Sequence, residues 1–71
     1  MNSVWEANNA NLFTICSMHN NAAKAMKNAV QHYQKILKEN EYTYPIAMNI
    51  EFVDSVEPYY NVSLVVGQVV D

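Results

Sequence analysis

The sequence predicts an α+β fold in which a single helix packs on one face of a small, mainly antiparallel sheet. Three observations predict it: one segment repeats its apolar residues at helical spacing, two later segments alternate apolar and polar residues, and a further apolar segment precedes the helix. The order is therefore β-β-α-β-β, or β-α-β-β if the first, less distinct strand is absent.

The length and composition indicate one globular domain over residues 1–71. The chain is 51% hydrophobic and 15% charged, which excludes a disordered protein of low hydrophobicity and high charge. A core of this size rarely contributes more than about 3–5 kcal/mol without disulfides, metal or oligomerisation. Cys16 is the single cysteine, so the chain has no internal disulfide.

The segment before the helix predicts one strand and suggests another. "NLFTICSM" reads as a strand from about 11 to 18, with Phe13 and Ile15 on one face. "SVWEA", residues 3–7, is a candidate short strand joined to it through a turn at Asn8-Asn9-Ala10-Asn11.

The clearest element is the helix predicted from about 21 to 39. Its apolar residues fall within an arc of about 140° at 100° per residue. Asn20 or Asn21 can cap its start, because an asparagine side chain accepts hydrogen bonds from first-turn N–H groups. We expect it to end near Asn40, a residue type that tolerates the left-handed conformation.

Two strands are predicted after the helix. "IAMNIEF" alternates strictly from Pro45 onward, and "YNVSLVV" alternates after it. The turn at 54–58 between them predicts an antiparallel hairpin. Whether the last strand lies at an edge of the sheet, open to pairing with another chain, or at its centre stays open at this point.

One helix can shield one face of such a sheet. The shielded face would carry Phe13, Ile15, Ile50, Phe52, Val62 and Leu64. The opposite face would carry Leu12, Thr14, Cys16, Ala47, Val53, Tyr59, Val65 and Val69. Asn49, Glu51, Asn61 and Ser63 interrupt it, but it remains quite apolar. Because contiguous exposed apolar patches usually mark binding surfaces, this second face is the candidate contact surface.

Aromatic residues extend that surface. Tyrosine and tryptophan offer large contact areas at low entropy cost and are enriched at binding hot spots. Ordinary strand propensity is the competing explanation for the tyrosines. The predicted partner-binding residues are Trp5, Tyr42, Tyr44, Val53, Tyr59, Tyr60, Val65 and Val69.

Every basic residue of the chain lies in the predicted helix. Lys24, Lys27, Lys35 and Lys38 span about 80° of the helical wheel, opposite the apolar residues. They form either a solvated helix face or a stripe for phosphates or an acidic partner. The net charge is −3 and the chain has no arginine, so nucleic-acid binding is a weak alternative.

No motif for catalysis or cofactor binding is present. Cys16 and His19 have the C-x-x-H spacing of half a zinc site, but the chain offers no second paired motif. They could also form a thiolate–imidazole pair, although one glycine and a short chain leave little material for a substrate cleft. We therefore predict no catalytic, cofactor or metal-ligating residues, and no enzyme.

These observations favour a small acidic protein-binding module in the cytoplasm, with no membrane segment. The profile is typical of small stand-alone binding proteins in bacteria and phages, such as a phage-encoded inhibitor of a host defence system. The first alternative is a homodimer or higher assembly with a ligand or partner site between subunits, formed by the second sheet face or by the last strand's edge. The second alternative is weak nucleic-acid binding through the lysine stripe.

Overall fold

A computed structural model describes residues 2–9 and 12–69, with side chains for 3–8 and 12–69. Within these ranges the elements are β1 (Asn2–Asn9), β2 (Leu12–His19), α1 (Ala22–Glu39), β3 (Thr43–Val53) and β4 (Tyr59–Gln68). The predicted α+β fold is confirmed, with the β-β-α-β-β order. Asn8 and Asn9, predicted to begin a turn, instead continue β1, and residues 10–11 of that predicted turn lie outside the described residues.

The strands form one antiparallel sheet in the order β1-β2-β4-β3. The last strand, β4, is therefore central, with β2 on one side and β3 on the other. This settles the question left open by the sequence and rules out pairing of another chain with β4. The edges of the described sheet are β1 and β3.

The helix begins and ends close to the predicted residues, but the backbone conformation at its C-terminal end differs from the expected one. Asn21 is the N-cap, and its Oδ1 accepts a hydrogen bond from the Lys24 N–H at 3.1 Å. At the other end Asn40 is extended, with φ of −144°, so the expected left-handed ending was wrong. The Asn40 N–H donates instead to the Ile36 carbonyl at 2.8 Å, and its Oδ1 accepts from the Tyr42 N–H.

The core lies between α1 and the two central strands. The helix contacts β2 and β4 more than it contacts β1 or β3. Two small residues, Ala25 and Ala29, are fully buried and let the helix backbone approach the sheet closely. They pack on the buried core side chains of the central strands, which are Ile15, Val62, Leu64 and Val66.

The β3–β4 hairpin is longer than predicted. β3 begins at Thr43, two residues before Pro45, and a β-bulge lies between Pro45 and Ala47. An edge strand tolerates a proline because its outward positions need no ladder hydrogen bond. The predicted turn at 54–58 joins the two strands.

Candidate functional site

The face of the sheet opposite α1, called here the open face, crosses all four strands. Residues that pair directly across antiparallel strands share a face, so the register assigns its members. Among the described residues Glu51 is its only charged side chain, and no described helix or strand lies over it. The open face comprises Ser3, Trp5, Ala7, Leu12, Thr14, Cys16, Met18, Tyr44, Ala47, Asn49, Glu51, Val53, Tyr59, Asn61, Ser63, Val65 and Gly67.

Five of the predicted partner-binding residues lie on the open face. Trp5 is 42% exposed on the edge strand β1, whereas Val65 is half-buried on the central strand β4. Val53 and Tyr59 pair across the hairpin near its turn. Tyr44 pairs with Gly67, and a Cβ at Gly67 would lie 2.6 Å from the Tyr44 ring, so glycine allows the ring to lie flat over β4.

The other three predicted residues lie elsewhere. Tyr42 and Val69 are exposed at one end of the hairpin, where the Val69 N–H donates to the Tyr42 carbonyl at 3.0 Å. Tyr60 is on the helix side of the sheet, with its ring centroid 5.1 Å from that of Phe52. Tyr44 and Val53 are nine positions apart, which is about 30 Å of strand. The tyrosines therefore do not form one continuous rim.

A second apolar surface, which the sequence reasoning did not identify as exposed, lies on the helix side of β3. Met48, Ile50 and Phe52 pair with Leu64, Val62 and Tyr60 and so face the same side as the core. They are nevertheless 42–54% exposed, as is Ile46 at the bulge. Fully burying such a side chain would contribute about 1.5–3 kcal/mol, and these half-exposed residues forgo about half of it.

The helix supplies the other wall of this surface. The Tyr33 hydroxyl donates to the Thr43 carbonyl at 3.4 Å, which places Tyr33 on the β3 side of the helix. Met26, Val30 and Leu37 lie within about 60° of Tyr33 at 100° per residue. Met26 and Val30 are exposed and Leu37 is half-buried. We call the surface formed by Met26, Val30, Leu37, Met48, Ile50 and Phe52 the α1–β3 groove.

A comparison of the width of one helix with the width of a four-stranded sheet could have predicted this groove. A helix with its side chains is about 10–12 Å across, and strands are about 4.8 Å apart. One helix therefore covers roughly two strands of a four-stranded sheet. Ile50 and Phe52 were expected under the helix, but their strand lies at the edge, beyond its reach.

The opposite flank of the helix is polar. His32 Nε2 lies 2.6 Å from Glu6 Oε1, which joins the helix to β1. Both side chains are about one-third exposed. A shallow cavity of about 260 Å³ beside this pair is lined by Val4, Asn28, Gln31, His32 and Lys35. The sequence offers no signal for the Glu6–His32 contact, because the two residues are far apart in the chain.

The four lysines, Lys24, Lys27, Lys35 and Lys38, are all exposed on α1, as their spacing predicts. They face away from the sheet, and no salt bridge to them is found among the described residues. The stripe is compatible with either of the two interpretations drawn from the sequence.

The geometry separates Cys16 from His19. Cys16 is half-buried on the open face. His19 is three positions further along β2, and because side chains alternate along a strand it faces the helix side. His19 Nδ1 accepts a hydrogen bond from the Asn21 N–H at 2.9 Å, so this ring is engaged in the turn into α1. Within residues 2–9 and 12–69 no group of three or more His, Cys, Asp or Glu side chains could hold a metal ion.

Comparison of the chain with protein-family models, with curated proteins and with solved structures finds no match. In the described part of the chain, α1 lacks the apolar length that a membrane-spanning helix needs.

Proposed function

We propose that this protein is a non-enzymatic binding module whose open face contacts a larger protein and inhibits or modulates it. The observation that carries the proposal is the composition of that face. It extends over four strands with Glu51 as its one charged side chain among the described residues. An antiparallel sheet that faces water on one side normally alternates apolar and polar residues more cleanly.

Two features of the open face favour a protein partner over a small ligand. The face is a sheet surface rather than a cleft, whereas small-molecule sites are concave and bury most of the ligand. Trp5 is exposed at one edge and Tyr44 at the other. Exposed aromatic side chains of this kind serve as the anchors of protein–protein contacts.

The contact would depend little on salt. Surface ion pairs are screened within about 8–10 Å at physiological ionic strength, whereas burial of apolar area is not. With one carboxylate on the open face, we expect the partner to present a largely uncharged, apolar surface. Inhibition would follow from covering a functional surface of that partner, since the module itself brings no catalytic group.

The test is a binding measurement with matched variants. The tagged protein is used to capture a partner from the organism that encodes it, and the purified partner is then titrated with each variant. Val65→Glu places a charge at the centre of the open face, and Trp5→Ala removes the exposed aromatic residue at its β1 edge. Val56→Glu is the matched control, because Val56 is fully exposed in the turn after β3.

We expect Val65→Glu and Trp5→Ala each to weaken binding by about tenfold or more, a loss of the size found at hot spots. Val56→Glu should bind as the wild type does, at both low and high salt. Circular dichroism spectra of all three variants establish that they are folded. Equal binding by Val65→Glu and Val56→Glu would remove the open face as the contact surface.

A further inference from the structure

We propose that a second copy of this chain lies beside the α1–β3 groove, with β3 of one copy pairing antiparallel to β3 of the other. The two sheets would then join into one sheet of eight strands with both helices on the same side. This inference concerns a surface other than the open face, and it stands whether or not the open face binds a foreign protein.

The size of the exposed surface supports a missing cover. The chain of 8.1 kDa has 4891 Å² of accessible surface, against about 4,500 Å² expected for a folded monomer of this mass. Its radius of gyration is 12.6 Å, against about 11 Å for a compact chain of this length. On β3 itself, the large side chains on or beside the groove, Ile46, Met48, Ile50 and Phe52, are 42–54% exposed.

The outer edge of β3 is suited to strand pairing. It is eleven residues long, its only charged side chain is Glu51, and it contains no lysine. Natural edge strands normally carry charges, prolines or bulges that block pairing. In β3 the proline and the bulge are both confined to the first residues, at Pro45 and Ile46. The part from Ala47 to Val53 is left regular and open.

The alternating pattern of apolar and polar residues in β3 is self-complementary about Asn49. A two-fold axis perpendicular to the sheet at Asn49 would set Met48 of each copy opposite Ile50 of the other. Directly opposite residues share a face, so the two apolar rows would meet on the helix side. Glu51 would lie opposite Ala47, and the two Glu51 residues would be about 14 Å apart, which avoids direct repulsion.

The two helices flank the joined strands. Met26, Val30 and Leu37 of each copy face the groove, so the joined apolar rows would lie between two apolar helix flanks. The lysines point away from this flank and would not be buried. An isologous contact of this kind closes after two copies and does not propagate into a fibre.

The first measurement is the solution mass by light scattering over a concentration series. We expect a shift from 8.1 kDa toward about twice that mass as concentration rises. Ile50→Lys should raise the dimer dissociation constant about tenfold or more, because it would bury a charge at the centre of the contact. Ile50 is half-exposed in the single chain, so the variant should still fold. Val56→Lys is the matched control and should dimerise as the wild type does.

A cross-linking experiment tests the arrangement itself. In a Cys16→Ser background, Asn49→Cys would place a thiol on the two-fold axis, at a distance that a disulfide can bridge. Glu51→Cys would place its two thiols too far apart. Mild oxidation should therefore link the Asn49→Cys chains and leave the Glu51→Cys chains unlinked.

Three results would overturn the proposal. These are a mass of one chain at every concentration, a dimer that Ile50→Lys leaves intact, and a cross-link at residue 51 without one at residue 49. A dimer dispersed by Val65→Glu but not by Ile50→Lys would place self-association on the open face. Loss of foreign-partner binding in Val65→Glu with an intact dimer would separate this inference from the proposed function.

Discussion

The two flanks of the single helix differ in polarity: the flank beside β1 is polar, and the flank beside β3 is apolar. On the β1 side, His32 meets Glu6 at 2.6 Å, and Lys35 and Asn28 lie beside them. On the β3 side, Met26 and Val30 face a strand whose large side chains are about half exposed. Both flanks border an edge strand of the same sheet, and the helix reaches neither fully.

The difference shows why one flank of the helix can remain exposed to solvent, whereas the other favours binding of a partner. A polar flank is stable in contact with solvent, because its groups exchange water for one another at little cost. An apolar flank of the same size remains unfavourable until something covers it. The β1 flank is therefore complete within one chain, whereas the β3 flank is the place where we propose a second chain.

The largest expected effect compares two isoleucines on the same face of the sheet. Ile15 is fully buried under the helix, whereas Ile50 is 47% exposed beyond it. Ile15→Ala should lower the free energy of unfolding by about 2–5 kcal/mol. Ile50→Ala should lower the free energy of unfolding by less than about 1 kcal/mol at low protein concentration, because little packing is lost. Urea unfolding at low protein concentration measures both, and equal losses would mean that the helix covers β3 after all.

A change of protein concentration sharpens the same comparison. If a second copy covers β3, each tenfold rise in concentration above the dimer dissociation constant should add about 0.7 kcal/mol of stability per chain. Ile50→Lys should remove this dependence, and Val56→Lys should preserve it. Thermal unfolding midpoints at several concentrations measure the effect. A midpoint that does not move for the wild type would count against a covered β3 flank.

A smaller effect is expected on the β1 flank. Glu6→Gln removes the carboxylate that contacts His32, and because both groups are about one-third exposed the loss in the free energy of unfolding should be below about 1 kcal/mol. A double-mutant cycle with His32→Gln isolates the pair from other effects of each change. Self-association should be unaffected, because this flank is remote from β3. A Glu6→Gln protein that no longer dimerises would show that the two flanks are coupled.

The smallest effect is expected for the lysines on the outer face of the helix. Lys27→Glu combined with Lys35→Glu should change neither the stability by more than about 0.5 kcal/mol nor the mass in solution. We also expect no binding of the wild type to single- or double-stranded DNA at low salt, where such contacts are strongest. Fluorescence anisotropy with labelled oligonucleotides measures this. Binding that the double variant abolishes would favour the lysine stripe as a nucleic-acid site.

Sequence patterns were sufficient for the helix and for three of the four strands, whereas they left the existence of β1 open. The helix bounds followed from the spacing of its apolar residues and from Asn21 as a cap. The alternation from Ala47 to Phe52 and from Val62 to Val66 assigned each side chain to the correct side of the sheet. These are local properties, and each is determined by residues a few positions apart.

Strand order and register were not accessible in the same way. Alternation specifies which face a residue occupies but not which strand lies beside it, so the central place of β4 could not be derived. The division of the tyrosines followed from the register, which pairs Tyr44 with Gly67 and Tyr60 with Phe52. The Glu6–His32 contact depended on both strand order and helix position, and no spacing in the sequence indicates it.

The central place of β4 also determines when the protein can fold during synthesis. β4 is the last of the four strands to leave the ribosome, yet β2 and β3 both pair with it and not with each other. Chains are made at about 5–20 residues per second, so β2 and β3 lack their shared neighbour until β4 has been synthesised. β1 and β2 can pair with each other first, whereas the four-stranded sheet forms only when residues 59–68 are available.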